Sequence, residues 1–167
     1  MAALKMEKNF LGNLRKRLQE LDGSSFSVGY FEQNGYHNEA KMTYANLFAI
    51  QSFGSTKANI PARPVLNLNF QMWNPLEKNT YLKRQLKRYL SGIYSKTPAL
   101  KWSSVLDNVA GNYVQTTRDA FGDTTMIKPN TSYTVARKGF NSPLIETGKL
   151  KAKLSYVNSF NGYVVTP

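Results

Sequence analysis

Histidine and the acidic residues are the side chains through which this chain could perform acid–base chemistry. The only histidine, His37, falls within the polar stretch Gln33-Asn34-Gly35-Tyr36-His37-Asn38, which is typical of a turn. A general base or a metal ligand usually needs a positioned partner. The acids Glu32, Glu39 and Glu146 are isolated from one another in the sequence, which leaves open whether folding assembles a carboxylate pair.

Sequence patterns that mark common catalytic and cofactor sites are missing. The chain has no His-x-x-x-His pair, no paired acidic cluster and no Gly-x-x-x-x-Gly-Lys phosphate loop. Serine is common, but a serine nucleophile without a positioned histidine has no base. There is no cysteine, which excludes disulfides, thiolate metal ligands and a thiol nucleophile. We therefore predict that the protein is not an enzyme and that it holds no metal or cofactor.

The chain carries a large excess of positive charge. Its 167 residues include 22 Lys+Arg and 10 Asp+Glu, which gives a formal net charge of +12. A field of this sign attracts nucleic acid, an acidic protein surface or anionic lipid, and solubility alone is the simpler interpretation. The start, from Met1 to Lys8, is charged where a signal peptide needs an apolar run, and no window approaches the roughly 18 apolar residues of a membrane helix. We expect one soluble domain that acts where it is synthesised.

Four of the 22 basic residues lie on one predicted helix, from about Asn79 to Tyr94. Its apolar residues fall within about 100° of arc: Leu82, Leu86, Tyr89, Leu90 and Ile93. The opposite side carries the cations Lys83, Arg84, Lys87 and Arg88, which we call the basic face. Glu77 is the only acid between Lys57 and Lys101, so no acidic neighbour along the helix neutralises the basic face. These cations suit phosphate contacts that do not read base sequence, and a merely solvated helix face is the alternative.

Periodic apolar residues predict three further helices. The first has the stripe Leu4, Leu11, Leu14, Leu18 and Leu21, widened by Phe10, and ends at Asp22-Gly23-Ser24-Ser25. Its polar face holds Lys8, Arg15, Lys16, Arg17 and Glu20. The second is capped by Thr43, turns Tyr44, Leu47, Phe48 and Ile50 inward, and ends at Gly54. The third starts at Thr97-Pro98, carries Trp102, Val105, Leu106, Val109 and Tyr113, and ends at Phe121-Gly122-Asp123, with Gly111 expected to mark close packing.

Short alternating stretches predict strands. Alternation of apolar and polar residues indicates strands at Phe26, Val28 and Tyr30, at Tyr133 and Val135, and at Leu154 and Tyr156. Asn161-Gly162 is a strong hairpin signal, which would pair Tyr163 to Thr166 with Val157 to Phe160. We therefore expect a single α+β domain in which an antiparallel sheet is flanked by amphipathic helices.

A proline-stiffened connector runs from Ser55 to Leu66. Pro61 and Pro64 hold its backbone extended, because each also pushes the preceding residue out of the helical region. The connector presents Arg63 on a stiff backbone, so little entropy is lost when this residue docks. We take Ile60, Pro61, Arg63 and Pro64 as a candidate subunit-interface loop. The alternative is a plain turn with Arg63 facing solvent.

Two blocks of sequence carry a resemblance to a known family. The first block is Tyr44-Ala45-Asn46-Leu47-Phe48-Ala49-Ile50-Gln51-Ser52-Phe53-Gly54 followed by Ile60-Pro61-Ala62-Arg63-Pro64. The second is Ser142-Pro143-Leu144-Ile145-Glu146-Thr147-Gly148-Lys149-Leu150, ahead of Leu154-Ser155-Tyr156-Val157. In this order they resemble the tail-completion proteins of tailed bacteriophages, of the minor tail protein Z and virion-morphogenesis type. Relatives usually carry an acid just before Phe-Gly, where this chain has Ser52; Thr147-Gly148 is interpreted as a helix cap or a bend.

The resemblance implies a structural virion protein. It implies one domain over residues 1–167, with a helical insertion at about 75–122, that assembles with itself into a ring in the neck or upper tail; hexamers are common at such positions. The ring would sit between a head-closure or connector ring and the tail-terminator protein, enabling heads to join tails. Double-stranded phage DNA would pass through the bore without sequence-specific contacts, and no membrane partner is expected.

The resemblance also places the protein in the virion after assembly in the bacterial host cytoplasm. On this interpretation the basic face contacts either DNA in the lumen or a partner ring. The alternative function is a sequence-independent DNA-binding protein of cellular type.

Overall fold

The computed structural model describes residues 2–73, 79–92, 100–160 and 162–167, with the backbone alone for residues 2–9. These residues form seven α-helices: α1 (Ala2–Asp22), α2 (Tyr44–Phe53), α3 (Val65–Trp73), α4 (Thr80–Ser91), α5 (Trp102–Ala120), α6 (Ser132–Lys138) and α7 (Lys149–Ala152). They also form four short strands: β1 (Phe26–Gly29), β2 (Tyr36–His37), β3 (Met42–Thr43) and β4 (Ser155–Asn158). The predicted α+β class with a single domain is confirmed, and no helix of these segments is long and apolar enough to cross a membrane.

Helix α5 lies at the centre of the fold and packs against α1, α3, α4, β1 and β4. Its predicted stripe is confirmed, because Trp102, Val105, Leu106, Val109 and Tyr113 are all buried. One part of the core contains Trp102, Val105, Leu106 and Val109 together with Tyr89 of α4, and a second part joins α5 to α2, α3, α7 and β4. The segment expected to be a helical insertion, residues 75–122, contains α4 and α5, and both parts of the core include residues of α5.

The strands form two small antiparallel sheets instead of one larger sheet. In the first, β1 pairs with β4, with Phe26 opposite Asn158. In the second, β2 pairs with β3. Asn161 of the predicted hairpin turn lies outside the described residues. Beyond it, Val165 pairs with Tyr156 through two backbone hydrogen bonds of 2.9 and 2.8 Å, two residues from the predicted register. A shift of two keeps the same side chains on the inner face, and Val165 packs against the core.

Two segments differ from the sequence prediction. The predicted strand at Tyr133 and Val135 is wrong, since these residues lie in α6. The hydroxyl of Thr131 accepts from the amide of Thr134 and caps this helix, which ends at Gly139 in the left-handed conformation, with φ of 81°. Helix α3 was not predicted; it begins directly after Pro64, where proline costs no helical hydrogen bond.

Helix α4 begins and ends close to its predicted bounds, with Asn79 as its N-cap; Tyr94 lies outside the described residues. The predicted start of α5 at Thr97-Pro98 also lies outside them, and the described helix begins at Trp102. The expectation of close packing at Gly111 is wrong, because a β-carbon there would have no neighbour within 4 Å.

The orientation of α1 differs from that predicted by its leucine stripe. Leu11 and Leu18 are exposed, whereas Arg17 from the predicted polar face is buried. The guanidinium of Arg17 donates to the carbonyl of Tyr89 and lies 4.7 Å from the centre of the Tyr89 ring. A cation is favourable at this place because the last carbonyls of a helix carry partial negative charge. This contact turns the Arg17 face of α1 inward and leaves part of the leucine stripe exposed.

Candidate interaction surfaces

The connector after α2 is fixed by backbone hydrogen bonds. The amide of Gly54 donates to Ile50 at 2.8 Å and ends the helix, as predicted. Ser55 and Ile60 then exchange two hydrogen bonds of 2.8 Å, so the connector folds back onto the end of α2. Gly54 has φ of 76°, and a β-carbon there would lie 2.7 Å from the backbone nitrogen of Ala62. Only glycine fits this close approach.

Arg63 lies inside the protein, where only 6% of it is exposed. Its Nε donates to the carbonyl of Lys128 at 2.8 Å, and Nη2 donates to the carbonyl of Pro129 at 3.0 Å. Contacts at 3.3 Å with Gln51 Oε1 and Asn130 Oδ1 complete the set. Burial lowers the pKa of Arg63 from its ordinary value. The sequence analysis expected Arg63 to face either solvent or another subunit. The observed position matches neither, because the guanidinium already donates hydrogen bonds to loop carbonyls.

The second motif block forms a tight turn before α7. Pro143 is fully buried, and Leu144 has φ of 63°, a left-handed conformation that costs energy in a branched residue. Lys138 Nζ donates to the carbonyl of Ser142 at 3.0 Å and to that of Ile145. Gly148 occupies the N-cap position of α7, with φ of 77°, as the predicted cap or bend requires. Two carbonyls of the block are therefore held by the half-buried ammonium of Lys138.

Both motif blocks border one cleft of about 880 Å³, which we call the connector cleft. From the first block it is lined by Leu47, Gln51, Ile60, Pro61 and Arg63. From the second it is lined by Leu144, Ile145, Glu146, Thr147, Gly148 and Leu150. The two blocks are about 80–100 residues apart in sequence and become neighbours only in the fold. An aromatic cluster behind the cleft joins them: the Tyr30 ring lies 4.8 Å from Phe48, and its hydroxyl donates to the carbonyl of Leu150 at 2.7 Å.

The ionisable residues of the connector cleft are paired or buried. Arg137 and Glu146 form an ion pair at 3.2 Å, and Lys149 pairs with Glu39 at 2.6 Å. The hydrogen bond from Lys149 lowers the pKa of Glu39. His37 is buried, not in an exposed turn, and its Nδ1 accepts from the amide of Ala40 at 3.1 Å. Within the described segments, no three His, Asp or Glu side chains come together in a way that could hold a metal ion.

All four residues of the basic face, Lys83, Arg84, Lys87 and Arg88, are exposed, as predicted. Gln85 and Tyr89 on the other side of α4 are buried, and this fixes the direction of the cations. The two ion pairs found in the described part of the chain involve none of Arg84, Lys87 and Arg88.

Two exposed aromatic residues were missed by the sequence interpretation. Phe53, at the end of α2, is 84% exposed, and Tyr133, which borders the connector cleft, is 78% exposed. A signal for Phe53 existed: it follows the buried Tyr44 by nine positions, which places it half a turn around the helix. Aromatic side chains exposed to this degree are common anchors of protein interfaces.

No protein-family model, curated protein or solved structure matches this chain. The resemblance to tail-completion proteins therefore depends on the two motif blocks.

Proposed function

We propose that this protein is a structural subunit of a tailed bacteriophage, which completes the tail or the head–tail neck and enables heads to join tails. The observation that supports this most is the convergence of both motif blocks on the connector cleft. Blocks that resemble one family, and that are far apart in sequence, border a single feature of the surface. The residues of both blocks form a rigid rim around the connector cleft. The ionisable side chains among them make ion pairs and hydrogen bonds within the protein.

Subunit contacts in the ring would use the rim of this cleft and the exposed aromatic residues beside it. Arg63 acts indirectly, because it ties the connector to residues 128–130 and so fixes the exposed loop shape. Phe53 and Tyr133 have the size and exposure to fill pockets on a neighbour. A preorganised loop loses little entropy on association. On this proposal Ile60, Pro61 and Pro64 contribute shape, and the aromatic residues contribute most of the binding free energy.

The ring would dock between a head-closure or connector ring and the tail-terminator protein, with double-stranded DNA in its bore. The basic face is suited to either an acidic neighbouring ring or DNA, since its cations are exposed on one side of α4. Strong phosphate binding would resist DNA ejection, so contacts with DNA must be few and individually weak.

Deletion of the gene from the phage or prophage that carries it tests this proposal. We expect electron micrographs of the lysate to show DNA-filled heads and separate tails, and the intact gene supplied in trans to restore complete particles. Complete infectious particles from the deletion strain would contradict the proposal.

The basic face also favours a second candidate, a cellular DNA-binding protein without sequence preference. That function predicts monomers or dimers whose DNA affinity falls steeply with salt. The virion function predicts rings, or monomers that assemble only on a partner. Light scattering combined with negative-stain microscopy of the purified protein distinguishes the two.

A further inference from the structure

A second cleft, of about 540 Å³, lies between α1, the end of α4 and the start of α5. We call it the α1–α5 cleft. Lys16, Lys101 and Gly92 border it, and both lysines are exposed. Its other charged residues are engaged with Tyr89: Arg17 donates to the Tyr89 carbonyl, and Glu20 accepts from the Tyr89 hydroxyl at 2.5 Å. Lys16 and Lys101 are therefore the cations through which this cleft presents positive charge to a ligand.

The start of α5 adds donors to the same cleft. This helix is 19 residues long, and its N-cap residue, Lys101, forms no side-chain capping bond with the first-turn amides. The partial positive charge of a helix N-terminus favours an anion. Trp102 also lines the cleft; it is 5% exposed, and its buried indole Nε1 has no acceptor among the residues that the structure describes. The first-turn amides of α5 and the two lysines are therefore the donors that this cleft offers to an anion.

The α1–α5 cleft lies at the end of the basic face. Gly92, which closes α4, borders the cleft, and Arg88 precedes it by four residues, about one helical turn. The exposed residues of α4 are all polar: Thr80, Lys83, Arg84, Lys87, Arg88 and Ser91. Protein interfaces have an apolar centre from which lysine is depleted, whereas protein–DNA interfaces are polar and strongly positive. The chemistry of this surface therefore favours DNA over an acidic protein.

We propose that the basic face and the α1–α5 cleft form one continuous site for the phosphate backbone of double-stranded DNA, with Lys16 and Lys101 as phosphate contacts at its end. The inference deepens the proposed function, on which it rests for the presence of DNA beside the protein. No contact with base edges is involved, so binding is independent of sequence. Each phosphate contact is individually weak and sensitive to salt, which lets DNA slide past.

The test measures binding of the full chain to a fluorescent duplex of about 20 base pairs, by anisotropy over about 50 to 200 mM salt. Lys16→Gln combined with Lys101→Gln should reduce the slope of log affinity against log salt by about 1.8, because each lost phosphate contact removes about 0.9. Lys57→Gln combined with Lys128→Gln is the matched control. It also removes two exposed charges, but these lie beside the connector cleft, and its slope should change by well under one unit.

Trp102 provides a second readout that does not depend on a substitution in the site. In a Trp73→Phe background Trp102 is the remaining tryptophan, and we expect the duplex to change its fluorescence. Inorganic phosphate at equal phosphate concentration should leave it unchanged. Equal slopes for the two double variants, no duplex binding by the unmodified protein, or equal competition by polyglutamate would each overturn the proposed DNA site. None of these results bears on head–tail joining in the deletion strain, so the inference and the proposed function can fail separately.

Discussion

Gly54 has φ of 76° and ψ of 178°, a conformation open almost only to glycine. We expect Gly54→Ala to lose about 3 kcal/mol of unfolding free energy, because strain adds to the clash of the β-carbon with the backbone of Ala62. Gly139→Ala is the control. Its φ of 81° is also positive but its β-carbon would meet nothing, so the loss should be about 1 kcal/mol. Urea unfolding measures both, and equal losses would contradict the close approach at Gly54.

Arg63 is predicted to stabilise the monomer. Arg63→Met removes the donors of three part-buried acceptors, the carbonyls of Lys128 and Pro129 and Oδ1 of Asn130, and we expect a loss of about 1–3 kcal/mol in urea unfolding. Arg63→Lys should recover little, since an ammonium cannot reproduce the fork of the guanidinium. Arg137→Met, which removes an exposed ion pair, should cost under about 1 kcal/mol. If Arg63→Met unfolds normally and loses only self-assembly, Arg63 is a subunit contact after all.

Buried tyrosines should make the protein sensitive to alkali. Burial raises the pKa of Tyr156 from its ordinary value of 10 to about 12, and it also raises the pKa of Tyr30 and Tyr89. The contribution of these protonated tyrosines to the free energy of unfolding is complete below about pH 10. Above it the unfolded chain releases protons that the folded protein keeps, so stability falls by about 1.4 kcal/mol per pH unit for each tyrosine.

Thermal melting from about pH 8 to about pH 11 checks this dependence. Tyr156→Phe should make the alkaline decline shallower, whereas Tyr133→Phe, at an exposed position away from Tyr156, should leave it unchanged. Stability that is constant up to about pH 11 would show that these hydroxyls are not buried.

The sequence located individual residues better than it predicted where their side chains point. The proline connector and Arg63 were recognised as a unit, but three of the four acceptors of Arg63 lie 65 to 67 residues further along the chain. No local pattern encodes that pairing. In the same way, Arg17 falls on the face of α1 that the sequence pattern predicts to be polar. Only its contact with Tyr89 explains why it is buried.

Among the secondary-structure elements, α1 gives the clearest test of packing. Leu18 is about half exposed, so Leu18→Ala should cost under about 1 kcal/mol. Leu154 is fully buried ahead of β4, and Leu154→Ala should cost about 2–5 kcal/mol. Leu14 and Leu86, which are half-buried, should fall between these values. If Leu18→Ala is as costly as Leu154→Ala in dilute protein, α1 packs through its leucine stripe instead.

Long helices were predicted reliably, whereas short elements were predicted only in part: α2 and the strands β1 and β4 were expected, but α3 and α6 were not. Helices α1, α4 and α5 follow from apolar residues that recur over several turns. The alternation at Tyr133 and Val135 spans only two apolar residues, and the caps at Thr131 and Gly139 outweigh it. Helix α3 was missed because its apolar residues directly follow the prolines that indicated an irregular connector. The strands are two to four residues long, too short for alternation to specify their pairing.

For the molecule as a whole, the basic face should be necessary for function but not for folding. Glutamine at Lys83, Arg84, Lys87 and Arg88 should leave the circular dichroism and melting curve unchanged, because these side chains are exposed. The same variant should block the joining of heads to tails in the complemented deletion strain. Glutamine at Lys41, Lys57, Lys128 and Lys153 removes equal charge from other exposed positions and should preserve joining. Normal infectivity of the first variant would exclude a role for the basic face.

The two clefts are properties of the whole molecule that local sequence patterns do not reveal. The connector cleft joins blocks near residues 60 and 145, and the α1–α5 cleft joins residues 16 and 101. The net charge of +12 left a polyanionic partner and solubility alone as alternatives. Helical periodicity located the basic face, but it could not show that Lys16 and Lys101 border one cleft, because this depends on contacts between distant elements.

Quantitative mass spectrometry of gradient-purified infectious particles tests the central claim, that this protein works as a fixed part of the virion, most directly. We predict a constant copy number per particle that matches a small ring and persists through high-salt washing. Infectious particles that lack the protein, or that carry it in variable amounts removed by the wash, would contradict the claim.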